Sequence, residues 1–328
     1  MKKIASGLYF LGYLVDRMLH AFRPAAAPRP VISIGNLTAG GTGKTTLTCE
    51  VVEDLRKSGL RSVIIIRGYR ARRSGNYQVF PDDDPVLCGD EAVLLALRTG
   101  TGVYAGVNRV KSIRKTRRNC PDCYVLDDGF QYYRLKRDLD ILLLDAMQPS
   151  EDYHLLPSGL LREPFSALSR AGMVVISRSG EADKSWVAFL KSMVRTVRPD
   201  IPIFEAKTVV REWLDLNWKP VAPPLEVIAC CGVGNPGSFR TLLERNGLVV
   251  TDFRIFPDHH DFTVSDLIGM LNTGKMVAVT EKDAVKLRRI VPDEQLPEVV
   301  FPRVGMELDR SFFDTVRDVA GMSLGGGM

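Results

Sequence analysis

The sequence predicts an α/β protein with a parallel sheet covered by helices on both faces. Short apolar runs rich in Val, Ile and Leu recur at 31–34, 62–66, 123–126, 140–146 and 173–178. Segments with helical spacing, such as 47–57, lie between them. Near-continuous apolar strands that alternate with helices are typical of sheets buried on both faces. A polar stretch with Trp and Pro follows at 209–225, and we interpret it as a linker to a second unit.

A glycine-rich turn follows the first predicted strand and ends in a lysine and two hydroxyl residues. In this arrangement, backbone N–H groups and a helix N-terminus surround phosphate oxygens. We expect Lys44 to reach the outer phosphates and Thr45 to bind Mg²⁺. The strict motif has glycine where this chain has Thr38, so the loop is a variant. The predicted nucleotide-binding residues are Thr38, Ala39, Gly40, Gly41, Thr42, Gly43, Lys44, Thr45 and Thr46. An ordinary glycine-rich turn is the alternative, and the complete GKT ending disfavours it.

Charge and cysteine content narrow the class of protein. The chain has 328 residues and a net charge of +5, with basic clusters at 61–73 and 109–118. Such clusters suit anionic phosphates or an anionic membrane surface, and an ordinary solvated face is the alternative. Nucleic acid is not expected as a partner, because no aromatic-rich basic platform accompanies the charge. The 6 cysteines form no disulfide-scaffold pattern, which indicates reduced thiols in a cytosolic compartment.

The N-terminal segment 1–23 predicts an amphipathic helix at a membrane surface. Its uncharged run, 4–15, is too short to span a bilayer. The apolar residues at helical spacing are Ile4, Leu8, Leu11, Val15, Met18 and Phe22. The cations that would contact anionic lipid are Lys2, Lys3, Arg17, His20 and Arg23. We expect an interfacial helix on the inner face of a membrane; a helix packed on its own domain is the alternative.

Charged residues follow several predicted strands. Asp127 and Asp128 come directly after the strand at 123–126, the usual place for acids that hold Mg²⁺ near a phosphate loop. A basic turn begins at Arg67, at the carboxyl end of the strand at 62–66, where ligands bind in open α/β sheets. Asp90 opens an apolar helix, so it is either a cap or a catalytic acid.

Two adjacent histidines, His259 and His260, lie between two aspartates. Neighbouring strand residues point in opposite directions and do not easily share one metal ion. One histidine acting on a substrate is the functional interpretation, and a turn histidine without a task is the alternative.

The motifs GNLTAGGTGKTT, RGYRARR, GDEA, LDDGFQ, LLPSGLLREP, GVGNPGSF, FPDHHDF and TEKDAVKL occur in order between Gly35 and Leu287. Together they resemble the tetraacyldisaccharide 4′-kinase family, the lipid A kinases of Gram-negative bacteria. The resemblance implies transfer of the γ-phosphate of ATP to the 4′-hydroxyl of lipid A disaccharide 1-phosphate, giving lipid IVA, with Mg²⁺. It also implies a location at the cytoplasmic face of the inner membrane. We expect a monomer.

The same resemblance implies a P-loop NTPase-type domain and a smaller α/β domain joined by two linker strands. The expected divisions are the surface helix 1–23, the P-loop kinase domain 24–208, the linker 209–225, the smaller domain 226–298 and the return segment 299–328. The linker strands are expected near 206–216 and 299–308. The terminal helix, 312–319, is expected to return to the larger domain.

Site residues carry over by their place in these motifs. Asp90 matches the family's base for the sugar hydroxyl, and His259 matches its histidine partner. Lys44 and Arg162 match the lysine and arginine at the phosphates. The implied metal ligands are Thr45, Asp127 and Asp128.

The implied substrate-side residues are Arg67, Tyr69 and Gln131. Two positions depart from the family pattern. Where the family favours Gly-Tyr-Gly, this chain has Arg70 after Tyr69. Where the family commonly has histidine after the LDDGFQ motif, this chain has Tyr132.

Two other classes of protein remain open at this point. A membrane-associated P-loop switch ATPase also has a GGTGKTT loop, but carries lysine where this chain has Ala39. A non-catalytic lipid-binding module would need neither Lys44 and Thr45 nor the acids at 127–128.

Overall fold

The structure is a computed structural model that describes residues 2–21 and 23–322. Its first-half strands are β1 (Val31–Asn36), β2 (Ser62–Ile66), β3 (Tyr77–Val79), β4 (Gly102–Ala105), β5 (Cys123–Asp127), β6 (Leu139–Asp145) and β7 (Met173–Ser177). The remaining strands are β8 (Ile203–Asp215), β9 (Pro220–Val221), β10 (Glu226–Cys231), β11 (Val249–Ile255), β12 (Met276–Ala278) and β13 (Val299–Glu307). The α-helices are α1 (Lys2–Ala21), α2 (Lys44–Lys57), α3 (Pro85–Cys88), α4 (Asp90–Thr99), α5 (Arg109–Lys115), α6 (Lys184–Val197), α7 (Pro236–Arg245), α8 (Val264–Leu271), α9 (Glu281–Leu287) and α10 (Arg310–Gly321).

The described strands form one sheet in the order β11-β10-β12-β13-β8-β7-β6-β1-β5-β2-β4-β3, with β9 paired to β8. The pairs β1·β5, β1·β6, β2·β5 and β6·β7 are parallel. Alternate residues enter opposite cores: Ile64 and Ile66 lie in one cluster, Val63 and Ile65 in another. The predicted α/β class with a doubly covered parallel sheet is therefore confirmed.

Strand β1 lies between β5 and β6, although it precedes both in the chain. The connection that leaves β1 runs toward β2, whereas the connection that leaves its neighbour β6 runs toward β7 on the other side, and this reversal opens a crevice at the carboxyl end of β1. The glycine-rich turn begins at this point.

Two long antiparallel strands, β8 and β13, join a larger lobe, built on β1–β7 and α2–α6, to a smaller lobe, built on β10–β12 and α7–α9. Residues Lys207 to Asp215 of β8 pair with Glu307 to Val300 of β13. At its start, β8 also continues the parallel sheet beside β7. Strands β8 and β13 thus lie where the two linker strands are expected. The expected boundary at 208/209 lies inside β8, and the domain limits remain predictions.

Helix α10 packs on the larger lobe, as expected. Phe312 and Val316 are fully buried in the same cluster as Leu47 and Leu55 of α2. The Arg317 guanidinium also contacts both carboxylate oxygens of Asp54 at 2.7 Å. The last helix of the chain therefore returns to the larger lobe, which also contains the first strand.

Helix α1 covers most of the predicted N-terminal helix, and no helix among the described residues has the length and hydropathy needed to cross a membrane. Its inner side contacts the larger lobe: the Tyr9 hydroxyl donates to the Arg162 carbonyl at 3.0 Å, and the Tyr13 hydroxyl to Glu163 at 3.2 Å. Its apolar residues Leu11, Val15 and Met18 are exposed. The described part excludes Met1 and Phe22 and the side chains of Lys2, Lys3, Ile4, Leu8 and His20.

Candidate active site

The glycine-rich turn has the backbone of a phosphate loop. Gly40 and Gly43 have φ of +112° and +91°, in the left-handed region where glycine has little steric cost. Thr38 is buried, bridges to Leu161 and is not among the positive-φ residues. A side chain is therefore accommodated where the strict motif has glycine. Helix α2 begins at Lys44, which directs its N-terminus at the loop.

The segment 155–163 supports this loop from one side. The Ala39 N–H donates to the Leu160 carbonyl at 2.7 Å, and the Arg162 N–H donates to the Leu37 carbonyl at 2.7 Å. The Arg162 guanidinium donates to the Asp128 carboxylate at 3.0 Å. Arg162 is thus fixed to the loop by its backbone and to the strand-end acids by its side chain.

Asp127 is buried at the end of β5. The Thr48 hydroxyl donates to its Oδ1 at 2.8 Å. Burial, followed by the charge of Glu91, raises the pKa of Asp127 to about 7. A carboxylate whose ionised form is disfavoured by burial and by neighbouring anions is a suitable place for a cation.

Asp128 is the anionic centre around which the cations of the larger lobe converge. Its backbone has φ of +51°, and the Arg109 guanidinium donates to its carbonyl at 2.9 Å. Its carboxylate lies 3.7 Å from Lys44 Nζ. Burial raises the pKa of Asp128, but the charges of Lys44 and Arg162 outweigh it and leave the pKa lowered.

The donor set fits a magnesium nucleotide. Thr45, Asp127 and Asp128 line the same cleft and offer the hard oxygen ligands that Mg²⁺ prefers. The described residues include no group of three or more His, Cys, Asp or Glu side chains arranged to hold a metal. Mg²⁺ at nucleotide sites uses few protein ligands, because phosphates and waters complete its shell.

A cleft with a volume of about 1370 Å³ lies between the two lobes, and residues of α1 also line it. The predicted site residues that line it are Ala39, Gly40, Gly41, Thr42, Gly43, Lys44, Thr45, Thr46, Arg67, Tyr69, Asp127, Asp128, Gln131, Arg162 and His259. Two further predicted residues, Thr38 and Asp90, are buried. The structure thus brings together residues that are separated by more than two hundred positions in the chain.

Asp90 and His259 meet across the lobes. Nδ1 of His259 lies 2.9 Å from Oδ2 of Asp90, and both side chains are about nine-tenths buried. The other carboxylate oxygen, Oδ1, accepts the Glu91 N–H at 2.9 Å, as a helix-start acid would. Burial raises the pKa of Asp90, but the hydrogen bond from His259 and the charge of Lys282 leave it lowered. The lowered pKa favours the ionised form of the Asp90 carboxyl group.

The two adjacent histidines have separate partners. Nε2 of His260 lies 3.1 Å from Asp266 Oδ2, while His259 contacts Asp90. They lie in a turn after β11, where His259 has φ of +62° and its N–H donates to the Gly232 carbonyl at 3.0 Å. Of the two histidines, His259 is the one that lines the cleft.

The basic turn after β2 forms the wall of the cleft beside His259. The Tyr69 ring centroid is 5.8 Å from that of His259. Arg70 has φ of +56°, which explains why glycine suits this position, and its guanidinium donates to the Asp258 carbonyl at 3.1 Å. Arg67 is exposed and lines the cleft.

Gln131 is fixed at one end only. Its Nε2 donates to the Asn36 carbonyl at 2.9 Å, while its buried Oε1 has no hydrogen-bond partner among the described residues. Tyr132, where the family has histidine, lies under the Arg109 guanidinium at 5.1 Å.

Sequence reasoning missed three residues that line the cleft, Glu91, Arg109 and Lys282, and also Thr48, which contacts Asp127. Lys282 Nζ lies 3.1 Å from His259 Nε2 and 3.4 Å from Glu91 Oε1. The place of these residues in the sequence gives only a weak indication of a role at the site. Glu91 follows Asp90, Thr48 lies one helical turn after Lys44, and Lys282 follows a strand end. Their partners come from distant segments, which no local pattern reveals.

This fold, with a lysine-bearing phosphate loop facing strand-end acids, defines a P-loop nucleotide-binding protein. The chain belongs to the tetraacyldisaccharide-1-P 4′-kinase (LpxK) family, whose profile matches residues 3–320. It is 35% identical over 316 residues to tetraacyldisaccharide 4′-kinase of Halothermothrix orenii, covering 87% of this chain and 82% of that protein. It is 39% identical over 295 residues to the Anaeromyxobacter dehalogenans enzyme of that name, covering 84% and 76%.

The structure is similar to that of LpxK from Aquifex aeolicus solved in complex with ATP. The TM-score is 0.75 at 29% identity, over 96% of this chain and 95% of that one. The family resemblance inferred from the motifs is therefore confirmed. It favours a kinase over the switch ATPase and over the lipid-binding module.

Proposed function

We propose that this protein transfers the γ-phosphate of ATP to the 4′-hydroxyl of lipid A disaccharide 1-phosphate and forms lipid IVA. Membership of the kinase family and the similarity to an ATP-bound LpxK support the donor and the acceptor. The observation that carries the proposal is the Asp90–His259 hydrogen bond of 2.9 Å, beside the cleft that contains the phosphate loop.

The donor side neutralises and aligns phosphates, which is most of what phosphoryl transfer requires. Lys44 binds the outer phosphates, and Arg162 contacts them from the segment 155–163. Thr45, Asp127 and Asp128 would hold Mg²⁺. When bound, the ion neutralises charge on the phosphate oxygens.

The acceptor side orients the sugar and takes its proton. Asp90 accepts the proton of the 4′-hydroxyl, a role that contributes roughly 10²–10⁴ in rate. His259 supports Asp90 from the smaller lobe, so the site is complete only when the lobes are closed. Closure also excludes water from the γ-phosphate. Arg67, Tyr69 and Gln131 contact the substrate.

The substrate is a membrane lipid, and α1 offers a surface for the membrane. Its exposed residues include Leu11, Val15 and Met18 together with Arg17. An apolar strip with flanking cations suits the headgroup region of an anionic bilayer. We propose that the protein acts at the cytoplasmic face of the inner membrane. We also propose that it is a monomer, because one chain supplies every residue of the proposed site.

A radiolabelled ATP assay with lipid A disaccharide 1-phosphate in detergent micelles tests the proposal. We expect labelled phosphate in the lipid product at a rate that depends on Lys44. Release of free phosphate without labelled lipid would instead indicate a switch ATPase. Lipid binding without any binding of nucleotide would indicate the non-catalytic module.

A further inference from the structure

Lys282 lies against the Asp90–His259 pair and has no role in the scheme above. It is in the first turn of α9, and its side chain is 19% exposed. Its Nζ is 3.1 Å from Nε2 of His259. An ammonium group only donates hydrogen bonds, so Nε2 must accept with its lone pair. The ring proton is then on Nδ1, which donates to Asp90.

Asp258 lies on the same side of the imidazole ring as Lys282, near the same nitrogen, Nε2 of His259. Its Oδ2 is 3.9 Å from Nε2 of His259, beyond hydrogen-bond distance. A carboxylate there would accept a hydrogen bond from a protonated Nε2. Lys282 Nζ, at 3.1 Å, lies closer to Nε2 than this carboxylate does.

Helix α9 holds Lys282 at this place through contacts on both sides. The residue before it, Glu281, forms a buried ion pair with Arg98 of α4 at 2.9 Å. The residue after it, Asp283, accepts the Gly232 N–H at 3.0 Å. Gly232 in turn accepts the His259 N–H, so the lysine and the histidine share one framework.

We propose that Lys282 is a positioning residue for phosphoryl transfer, which keeps His259 neutral with its proton on Nδ1. The proposal rests on the proposed function. A neutral His259 donates one hydrogen bond to Asp90 and leaves its carboxylate free to take the hydroxyl proton. An imidazolium in its place would form an ion pair with Asp90 and weaken it as a base.

The charge balance around His259 explains why a cation is needed. Carboxylates approach from α4 and from the histidine's own turn, and each would favour an imidazolium. The cations near the pair include Lys282 itself, Arg70, which contacts the Asp258 carbonyl, and Lys286, whose charge lowers the pKa of Asp90. The titratable or charged groups around the ring are Asp90, Glu91, Asp258, Lys282, Tyr69 and Arg70.

Nitrogen NMR of ¹⁵N-histidine-labelled full-length protein tests the proposal without any need for activity. The His259 signals are assigned with His259→Gln. In the native protein at pH 7 we expect one protonated nitrogen and one unprotonated nitrogen, with Nδ1 protonated. In Lys282→Met we expect both nitrogens to be protonated, whereas Lys282→Arg retains the native pattern. An unchanged His259 pattern in Lys282→Met would overturn the proposal.

Lys275→Met is the matched control, because Lys275 lies in the same lobe and pairs with Glu226 at 3.0 Å on the surface. It should leave both the His259 signals and the activity unchanged. A change of the His259 signals in Lys275→Met equal to that in Lys282→Met would also contradict the proposal.

Kinetics with ATP and the lipid acceptor give the second measurement. We expect Lys282→Met to lower kcat by about tenfold, within the contribution of one general base, with KM for ATP unchanged. Raising the pH should recover part of the loss by deprotonating the imidazolium, and Lys282→Arg should recover most of it. A loss that is independent of pH would overturn the positioning role. A native protein that fails to phosphorylate lipid would instead overturn the proposed function and leave the NMR result standing.

Discussion

The donor and acceptor sides of this cleft are built in different ways. The phosphate loop, Asp127, Asp128 and Arg162 all belong to the larger lobe and are held by its strands and by the segment 155–163. The acceptor side takes Asp90 from the larger lobe and His259 and Lys282 from the smaller one. The donor side therefore exists in one lobe alone, while the acceptor side exists only when both lobes are in contact.

This difference predicts two kinds of failure. A change on the donor side should remove chemistry and leave the fold intact. A change at the contact between lobes should alter stability and acceptor-side geometry together. The following variants test that division.

Lys44→Ala should have the largest effect on activity. Lysine at the outer phosphates stabilises charge in the transition state, and removing one such donor costs about 10²–10³ in kcat or more. Thermal unfolding should change little, since the ion pair that the Lys44 side chain forms with Asp128 is long, at 3.7 Å. The measurement is labelled lipid product beside a melting curve.

Lys57→Ala is the control for Lys44→Ala, because Lys57 ends the same helix and pairs with Glu53 on the surface. Its activity should be native. Near-native turnover in Lys44→Ala would contradict the phosphate-loop assignment.

Glu281→Gln should weaken the contact between the lobes. It leaves Arg98, which is 4% exposed, without its buried partner, and breaking such a pair costs about 3–5 kcal/mol. The free energy of unfolding in urea should fall by that order, and kcat should fall with it because α9 carries Lys282.

Glu212→Gln removes an ion pair of similar length, 2.8 Å to Arg303, from the partly exposed linker. Its cost should stay within about 1 kcal/mol. Equal costs for the two variants would mean that the Arg98–Glu281 pair does not hold the lobes together.

Replacing Leu11, Val15 and Met18 of α1 by Ser should have the smallest effect on chemistry and a clear effect on location. These side chains are exposed, so the fold should be unaffected, while apolar area at the bilayer is lost. The variant should move from membrane to soluble fractions, more so at high salt, because the remaining attraction is electrostatic. Unchanged sedimentation with membranes would place the anchor elsewhere.

Deletion of 1–23 is a less specific version of the same experiment. Tyr9 and Tyr13 contact Arg162 and Glu163, so the deletion also disturbs the segment that supports the phosphate loop. A loss of ATP-dependent turnover in the deletion, but not in the triple variant, would separate the two roles of α1.

The parts of the molecule that the sequence predicts well are those set by local pattern. The run at 62–66 became β2 with the same bounds, because an isolated β-branched run between turns admits one interpretation. The phosphate loop was equally clear, since its residues are consecutive. The loop's variant residue, Thr38, is explained only by its pairing with Leu161.

The site residues that the sequence does not predict are brought to the cleft by tertiary contacts. Arg109 reaches the carbonyl of Asp128, and Lys282 reaches His259, from elements that no spacing rule connects to the site. The motif TEKDAVKL gave no sign of its function by itself. Its purpose follows from its contacts with Arg98, His259 and Gly232.

The central claim is that Asp90 and His259 act as one unit across the two lobes. A double-mutant cycle with Asp90→Asn and His259→Ala, measured as kcat at saturating ATP and lipid, tests it most directly. Asp90→Asn keeps much of the capping capacity at the start of α4 and removes only the proton acceptor. Each single variant should lose much of the roughly 10²–10⁴ expected of a general base, and the double variant should be little slower than the worse single. Fully additive losses, or an active Asp90→Asn, would contradict the claim.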